Sequence, residues 1–355
     1  MVNLIAGTFV GDYEIESQIG QGGMGVVYRA RQGSLDRTVA IKILPAELCL
    51  DHEYVDRFLQ EARAAAYLNH PHIVQVYDAG VYNDIYFFVM EFVDGKTLGE
   101  ILREEGRLKE KDVLRFLLQS AKGLAFAHRH GIVHRDVKPD NLMLTSRGIL
   151  KIGDLGLAKW KPSEYDHTLT AAGTTIGTPY YISPEQIRGL KDINGQADIY
   201  SLGMTFYHLL VGRPAFTGNT PTEIMAEHLS KDSPPLSQWV PEISKSTLDL
   251  INEMTAKKQT DRILEMEIVV NRVADILGEQ PLTTPILGMR ISNKDPVDKT
   301  SKFLTRATHV VLIIFFGLML ALAFLVAWKF YRHDPKSFSP DPSSDTREIS
   351  RKGSE

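Results

Sequence analysis

The run His134-Arg135-Asp136-Val137-Lys138-Pro139-Asp140-Asn141, followed by Asp154-Leu155-Gly156, holds residues with separable chemical jobs. Asp136 is a carboxylate that can orient a hydroxyl nucleophile. Lys138 can neutralise charge on a phosphoryl group in transfer. Asn141 and Asp154 are hard oxygen ligands of the kind Mg²⁺ prefers. His70, His72, His128, His130 and His134 fall in unrelated segments without the spacing of a metal-ligand set.

A phosphate cradle lies upstream. Gly20-Gln21-Gly22-Gly23-Met24-Gly25-Val26-Val27 fits G-x-G-x-x-G-x-V, where missing Cβ atoms let backbone N–H groups approach phosphate oxygens. The same glycine pattern opens dinucleotide-binding folds, but there it enters a helix; here Val26-Val27-Tyr28 continues as a strand. A plain glycine-rich hairpin is the remaining alternative. Lys42 closes the apolar strand Val39-Ala40-Ile41-Lys42, a costly place for an ammonium unless it is paired. The periodic stretch Asp51 to Asn69 offers a partner. Tyr54, Phe58, Glu61, Ala65 and Leu68 share one face at helical spacing, so Glu61 sits in a mostly apolar stripe. Glu53 competes, but the helix dipole already explains an acid at the helix start. An exposed Glu61 is the bland alternative.

The elements that must position these residues change character along the chain. Residues 13–94 read as strands (Val26–Tyr28, Val39–Ile43, Ile85–Val93) plus one helix with Pro71 beyond its end. Residues 95–280 read mainly as helices. Asp112 to His130 is amphipathic and stops at Gly131. Ala197 to Val211 is apolar nearly all round, so it predicts a buried central helix ending at Gly212. Thr220-Pro221 has the form of an N-cap followed by proline at the first helical position.

Composition sets outer limits. The chain has 355 residues, is 43% hydrophobic and carries a formal charge of −4, enough for a large core and no argument for nucleic acid as a partner. A single cysteine, Cys49, excludes an internal disulfide; among apolar neighbours it reads as a packing residue in a reducing compartment. Residues 1–12 form an N-terminal segment without a leader pattern.

Near the other end, VVLIIFFGLMLALAFLVAW (310–328) runs 19 residues without a charge. As a helix it would span roughly 28 Å, about the hydrocarbon core of a bilayer. On its N-terminal side stand Arg290, Lys294, Lys299, Lys302 and Arg306; on the other, Lys329, Arg332 and Lys336. That bias places the N-terminal side in the cytoplasm and the tail outside a cell (inner) membrane crossed once. Residues 281–309 read as a juxtamembrane linker. The 329–355 tail, rich in Ser, Asp, Pro and Arg, reads as disordered and too short for a folded sensor.

Taken in order, these motifs resemble the protein kinase family over about Tyr13 to Leu277, and the eukaryotic-like Ser/Thr kinases of bacteria in particular, which often carry one membrane helix after the kinase domain. The resemblance implies an α+β, bilobal fold with a small β-rich lobe and a large helical lobe, here followed by the membrane helix. It implies ATP with Mg²⁺, for which Mn²⁺ can substitute, and protein substrates modified on Ser or Thr. Ile19, Gly20, Gln21, Gly22, Gly23, Met24, Gly25, Val27, Ala40 and Met143 would surround ATP. Lys42, held by Glu61, would reach its phosphates. Glu91 to Val93 would form the adenine hinge, with Met90 as gatekeeper. Asp136 would be the catalytic base, Lys138 its Ser/Thr-type companion, and Asn141 and Asp154 the Mg²⁺ ligands. Thr178 would shape the acceptor site, Glu185 would pair with buried Arg262, and Asp198 would cap the catalytic loop; an ordinary acid at a helix start is the alternative for Asp198.

Two positions depart from the family pattern. Leu155 replaces the usual Phe, and its apolar bulk can fill the same place. Ser183 replaces the usual Ala before Pro184-Glu185, and its hydroxyl can bond locally. Arg135 beside Asp136 suits a segment ordered by phosphorylation, because guanidinium clamps phosphate in bidentate fashion. Thr168, Thr170, Thr174 and Thr175 lie in that segment, and Thr168 and Thr170 match the usual autophosphorylated pair. The family often dimerises through the small lobe, so the resemblance implies a homodimer as one expectation. A scaffold without transfer activity is the rival class; such proteins usually lose the equivalents of Lys42, Asp136 or Asp154, and all three stand here. A non-kinase nucleotide-binding module would not need Asp136, Lys138 and Asn141 together.

Overall fold

The computed structural model of the chain describes residues 4–22, 25–49, 52–154 and 179–279, with backbone alone at 53, 57, 61 and 64. The chain divides into two units, Met1–Leu282 and Thr283–Glu355, and all described residues belong to the first. No helix among the described residues is long and apolar enough to cross a membrane. The 310–328 run, the linker before it and the tail after it lie outside them.

The first lobe is a six-stranded antiparallel sheet: β1 (Phe9–Val10), β2 (Tyr13–Gly22), β3 (Gly25–Gln32), β4 (Arg37–Ile43), β5 (Val76–Tyr82) and β6 (Ile85–Glu91), in the order β1-β2-β3-β4-β6-β5. Val39, Ala40, Ile41 and Ile43 of β4 are all buried, as a strand covered on both faces requires. One face packs Ile15, Tyr28, Ile41 and Val89 together. The other receives α2 (His52–Ala66), preceded by the short α1 (Ala46–Cys49). The buried stripe of α2 is Val55, Phe58, Ala62 and Ala65, which pack on Leu44 and Phe88. Phe58 and Ala65, with Leu68 just beyond the helix, are buried as the sequence reading placed them. Tyr54 is only half-buried, and Val55 beside it takes the buried place.

In the second lobe a small sheet, β7 (Gly95–Thr97), β8 (Leu142–Thr145) and β9 (Leu150–Ile152), accompanies helices α3 (Leu98–Glu105), α4 (Glu110–Arg129), α5 (Pro184–Ile187), α6 (Gly195–Val211), α7 (Pro221–Ser230), α8 (Lys245–Met254) and α9 (Met266–Leu277). Helix α6 runs through the middle, with residues on every side buried from Gln196 to Leu210. It ends where Gly212 turns left-handed at φ 84°. Leu117, Leu124, Leu202, Phe206 and Leu250 form the centre of this core. Thr220 caps α7 by accepting from Glu223 N–H, with Pro221 in the first turn.

Candidate active site

The loop after α4 is built around one buried carboxylate. Asp198, in the first turn of α6, accepts from the backbone N–H of His134 at 2.8 Å and of Arg135 at 2.7 Å, and from His128 Nε2 at 2.7 Å. Burial alone would raise its pKa, but the His128 hydrogen bond and charge, with help from His134, hold it below the ordinary carboxylate value. Asp198 thus fixes the catalytic loop from beneath, which its place in the helix dipole does not explain. Arg135 takes φ +64°, a left-handed conformation costly for a residue with Cβ.

The fully buried His134 accepts from Asp136 N–H through Nδ1 (3.2 Å), which leaves Nε2 to donate to the Gly153 carbonyl at 3.0 Å. Asn141, in a 3-10 turn (Pro139–Asn141), donates from Nδ2 to the Asp136 carbonyl at 2.8 Å and to Asp136 Oδ2 at 3.3 Å. Lys138 Nζ reaches the same Oδ2 at 2.8 Å. Gly153 N–H donates to the Asn141 carbonyl at 2.9 Å. The loop and the strand leading to Asp154 are therefore one hydrogen-bonded unit. Asp136 and Lys138 stay reachable, with side chains 25% and 36% exposed.

Lys42 on β4 crosses to this unit. Its Nζ lies 2.9 Å from Asp154 Oδ1 and sits over the Phe88 ring. Desolvation pushes the Asp154 carboxyl up, yet the charge and hydrogen bond of Lys42 outweigh it, so the group stays ionised well into acid. Asp154 also has positive φ, +48°. The side chain of Glu61 lies outside the described residues, although its backbone sits in α2.

Above the site, the hairpin of β2 and β3 pairs Gly20 with Val27 and Gly22 with Gly25. A Cβ on Gly25 would stand 2.5 Å from the Ile43 carbonyl, so only glycine lets the hairpin lie this close to β4. Ile19, Gly20, Gln21 and Gly22 lie on β2, whereas Gly23 and Met24 fall outside the described residues. Ala40 is buried and pairs with Met90; Val27 pairs with Lys42. Glu91 ends β6, donating its N–H to the Gln75 carbonyl, while its carboxylate takes Lys151 Nζ at 2.8 Å; Val93 follows in the connection to β7. Met143 lies on β8, against Gly153.

Behind Met90 a small apolar cavity is lined by Ala65, Val74, Val76, Phe88 and Ile152. Glu185 and Arg262 form a bidentate pair (2.6 and 3.2 Å), both buried, with Arg262 also donating to the Gln196 and Ala256 carbonyls. Ser183 caps α5 reciprocally with Gln186. The Gln186 amide then donates to the Arg135 carbonyl at 2.9 Å. Leu155, Thr168, Thr170, Thr174, Thr175 and Thr178 lie outside the described residues.

Among the contacts sequence reasoning missed are those of His128 with Asp198, Lys42 with Asp154, Lys151 with Glu91, Arg103 with Asp140 (3.2 Å), and Tyr181 OH with His208 Nδ1 (2.7 Å). His208 is held to about 4 by burial, so the imidazole is neutral and the Tyr181 hydroxyl donates to it.

The donor set suits a divalent cation. Both Asp136-directed bonds use the Asn141 amide nitrogen, which leaves its amide oxygen, with the ionised Asp154, as hard oxygen donors.

Comparison with known proteins agrees. The protein kinase domain family matches residues 13–273. Serine/threonine-protein kinase PrkC of Bacillus subtilis is 39% identical over 285 residues, 79% of this chain and 43% of that protein. Serine/threonine-protein kinase PknB of Mycobacterium tuberculosis is 36% identical over 282 residues, 78% of this chain and 44% of that protein. The chain thus spans less than half the length of the curated relatives it matches. Among solved structures, the Mycobacterium tuberculosis PknI kinase domain superposes with a TM-score of 0.60 at 26% identity, covering 77% of this chain and 99% of that one. With two lobes, a glycine-lined hairpin and the Asp136–Lys138–Asn141 unit facing Lys42 and Asp154, the chain belongs to the protein kinase family.

Proposed function

We propose that the protein is a membrane-anchored Ser/Thr protein kinase of the PrkC and PknB type, moving the γ-phosphoryl group of ATP to protein hydroxyls. The observation that carries this reading is the convergence of Lys138 and Asn141 on Asp136 Oδ2, with Lys42 bonded to Asp154 across the cleft. Mg²⁺, held by Asn141 and Asp154, would neutralise phosphate charge. Asp136 orients the acceptor hydroxyl and takes its proton. Lys138 stabilises charge on the phosphoryl group in flight. Lys42, with Glu61 as its partner, holds the remaining phosphates. Lys138 between Asp136 and Asn141, as in Ser/Thr-specific relatives, supports Ser and Thr over Tyr as acceptors.

The 310–328 run is the proposed anchor, with the kinase domain cytoplasmic. Phosphorylation of Thr168 and Thr170 in trans is the proposed activating step, with Arg135 as a phosphate clamp; small-lobe dimers would bring two copies together. The test uses the full chain in detergent micelles, purified from a host co-expressing a phosphatase. Incubation with Mg·ATP adds phosphate at Thr168, Thr170 or their neighbours, and Asp136→Asn and Lys42→Met abolish it. Unchanged mass despite measurable ATP binding would overturn the reading in favour of a scaffold.

A further inference from the structure

Strand β9 and the residues directly after it carry both of the ion pairs that join the two lobes among the described residues. Asp154 takes Lys42, and Lys151, three positions earlier, reaches Glu91 Oε2 at 2.8 Å. The second pair is shielded, with side chains 14% and 25% exposed. The imidazoles of His70 and His72 stand beside Lys151. Burial first, and nearby cations after it, lower both of their pKa values, so neither ring adds a charge that competes for Glu91. The pair closes a wider seam. Ile73 bridges to Ile152 in parallel, where Ile152 N–H donates to the His72 carbonyl and Val74 N–H to the Ile152 carbonyl, each at 2.9 Å. Gln75 N–H donates to Glu91 Oε2 at 3.3 Å, and Glu91 N–H donates back to the Gln75 carbonyl at 2.8 Å. Glu91 is therefore held, at its side chain and its N–H, by β9 and by the chain ahead of β5.

Glu91 is also where the chain leaves β6 for the second lobe. Two residues on, Val93 is half-buried, and neither its N–H nor its carbonyl bonds to another described residue. Backbone groups so placed need a partner, and a ligand edge satisfies the same demand as water does. Val93 thus offers a donor and an acceptor side by side. Adenine presents a donor (N6) next to an acceptor (N1). Guanine reverses the order, with an acceptor (O6) next to a donor (N1). Backbone groups held in one place match one of these edges and leave the other unpaired. A backbone free to slip by one peptide group matches either.

We propose that Lys151 is a positioning residue for the nucleotide base: through Glu91 it locks the 91–93 backbone to β9, and so to Asp154, and this lock selects adenine over guanine nucleotides. Lys151 touches neither base nor phosphate in this role; it acts by keeping Glu91 in place. The role rests on the kinase reading above and deepens it.

The test compares the full chain in detergent micelles with Lys151→Met, Lys151→Arg and Glu91→Gln, using casein as acceptor and ATP or GTP as donor. The parent prefers ATP. Lys151→Met raises the ATP KM about tenfold, the effect of one charged hydrogen bond, while the GTP and casein KM values move less than about twofold. The preference for ATP then narrows about tenfold. Lys151→Arg keeps the charge and the reach to Glu91, and with them most of the preference. Glu91→Gln weakens the pair from its other end and narrows the preference by less; it decides the matter should Lys151→Met fail to fold. A purely structural role would instead raise both nucleotide KM values together. A parent indifferent to the base, a folded Lys151→Met with unchanged ATP KM, equal rises for ATP and GTP, loss of the preference in Lys151→Arg, or no effect of Glu91→Gln would each overturn the proposal. Failure of the parent to phosphorylate any protein with either nucleotide would instead remove the kinase reading on which it stands.

Discussion

Lys42 and Asp154 come from different lobes, and their side chains meet at 2.9 Å. The contact joins the strand under the glycine hairpin to the unit that holds Asp136 and Asn141, so one ion pair ties the two lobes together at the site. Lys42→Met removes the Lys42 ammonium from Asp154 and, on the proposed function, a phosphate contact. Transfer to casein is expected to fall by at least about a hundredfold, with folding retained by circular dichroism. Activity within tenfold of the parent would show that Lys42 is not part of the machinery.

Asp198 makes a pH-dependent prediction. Its folded pKa lies below the ordinary carboxylate value, so its stabilisation is fully present above about pH 4, the usual range for the free group, and is lost as pH falls through the lower folded value. Asp198→Asn swaps one acceptor oxygen for an NH₂ facing a backbone N–H. A loss of about 3 kcal/mol is expected at pH 7. The gap in Tm between parent and variant should then narrow below about pH 4. A constant gap down to acid unfolding would contradict the assignment.

The Glu185–Arg262 pair is buried at both ends. Arg262→Met strands a buried carboxylate and should lower stability by about 3–5 kcal/mol, readable as a denaturation midpoint. The double variant Glu185→Gln, Arg262→Met should lose less than the two single losses added together. Strict additivity would mean the pair does not act as a unit.

Gly25→Ala forces a methyl group against the Ile43 carbonyl. The hairpin must lift, and overpacking of this kind costs about 1–3 kcal/mol. The effect should appear in the ATP KM, raised by about tenfold or more, with a smaller change in the casein KM. An ATP KM equal to the parent's would place the hairpin away from the phosphates.

How much of this was legible in the sequence depended on the range of the interaction. Gly212 and Thr220-Pro221 act within a turn or two, and the helix ends they mark stand where they were read. Of the stripe read on α2 and just beyond it, Phe58, Ala65 and Leu68 are buried, while Tyr54 is only half-buried and its neighbour Val55 takes the buried place, a difference of one position that periodicity alone does not resolve. The bond from His128 to Asp198 spans 70 positions, and nothing local marks a histidine in the last turn of α4 as anything but a helix-end residue. Ser183 was legible as a hydroxyl able to bond nearby. That it draws Gln186 into a cap, and through Gln186 reaches Arg135, needed the fold.

Arg135 and Asp154 both hold left-handed backbone, at φ +64° and +48°. Glycine at either position would relieve roughly 1 kcal/mol of conformational strain, and would delete the proposed phosphate clamp in one case and the proposed cation ligand in the other. A directed-evolution campaign on this chain that selects for heat resistance alone is therefore steered toward its own inactivation, and should hold these two positions fixed or screen turnover in every round.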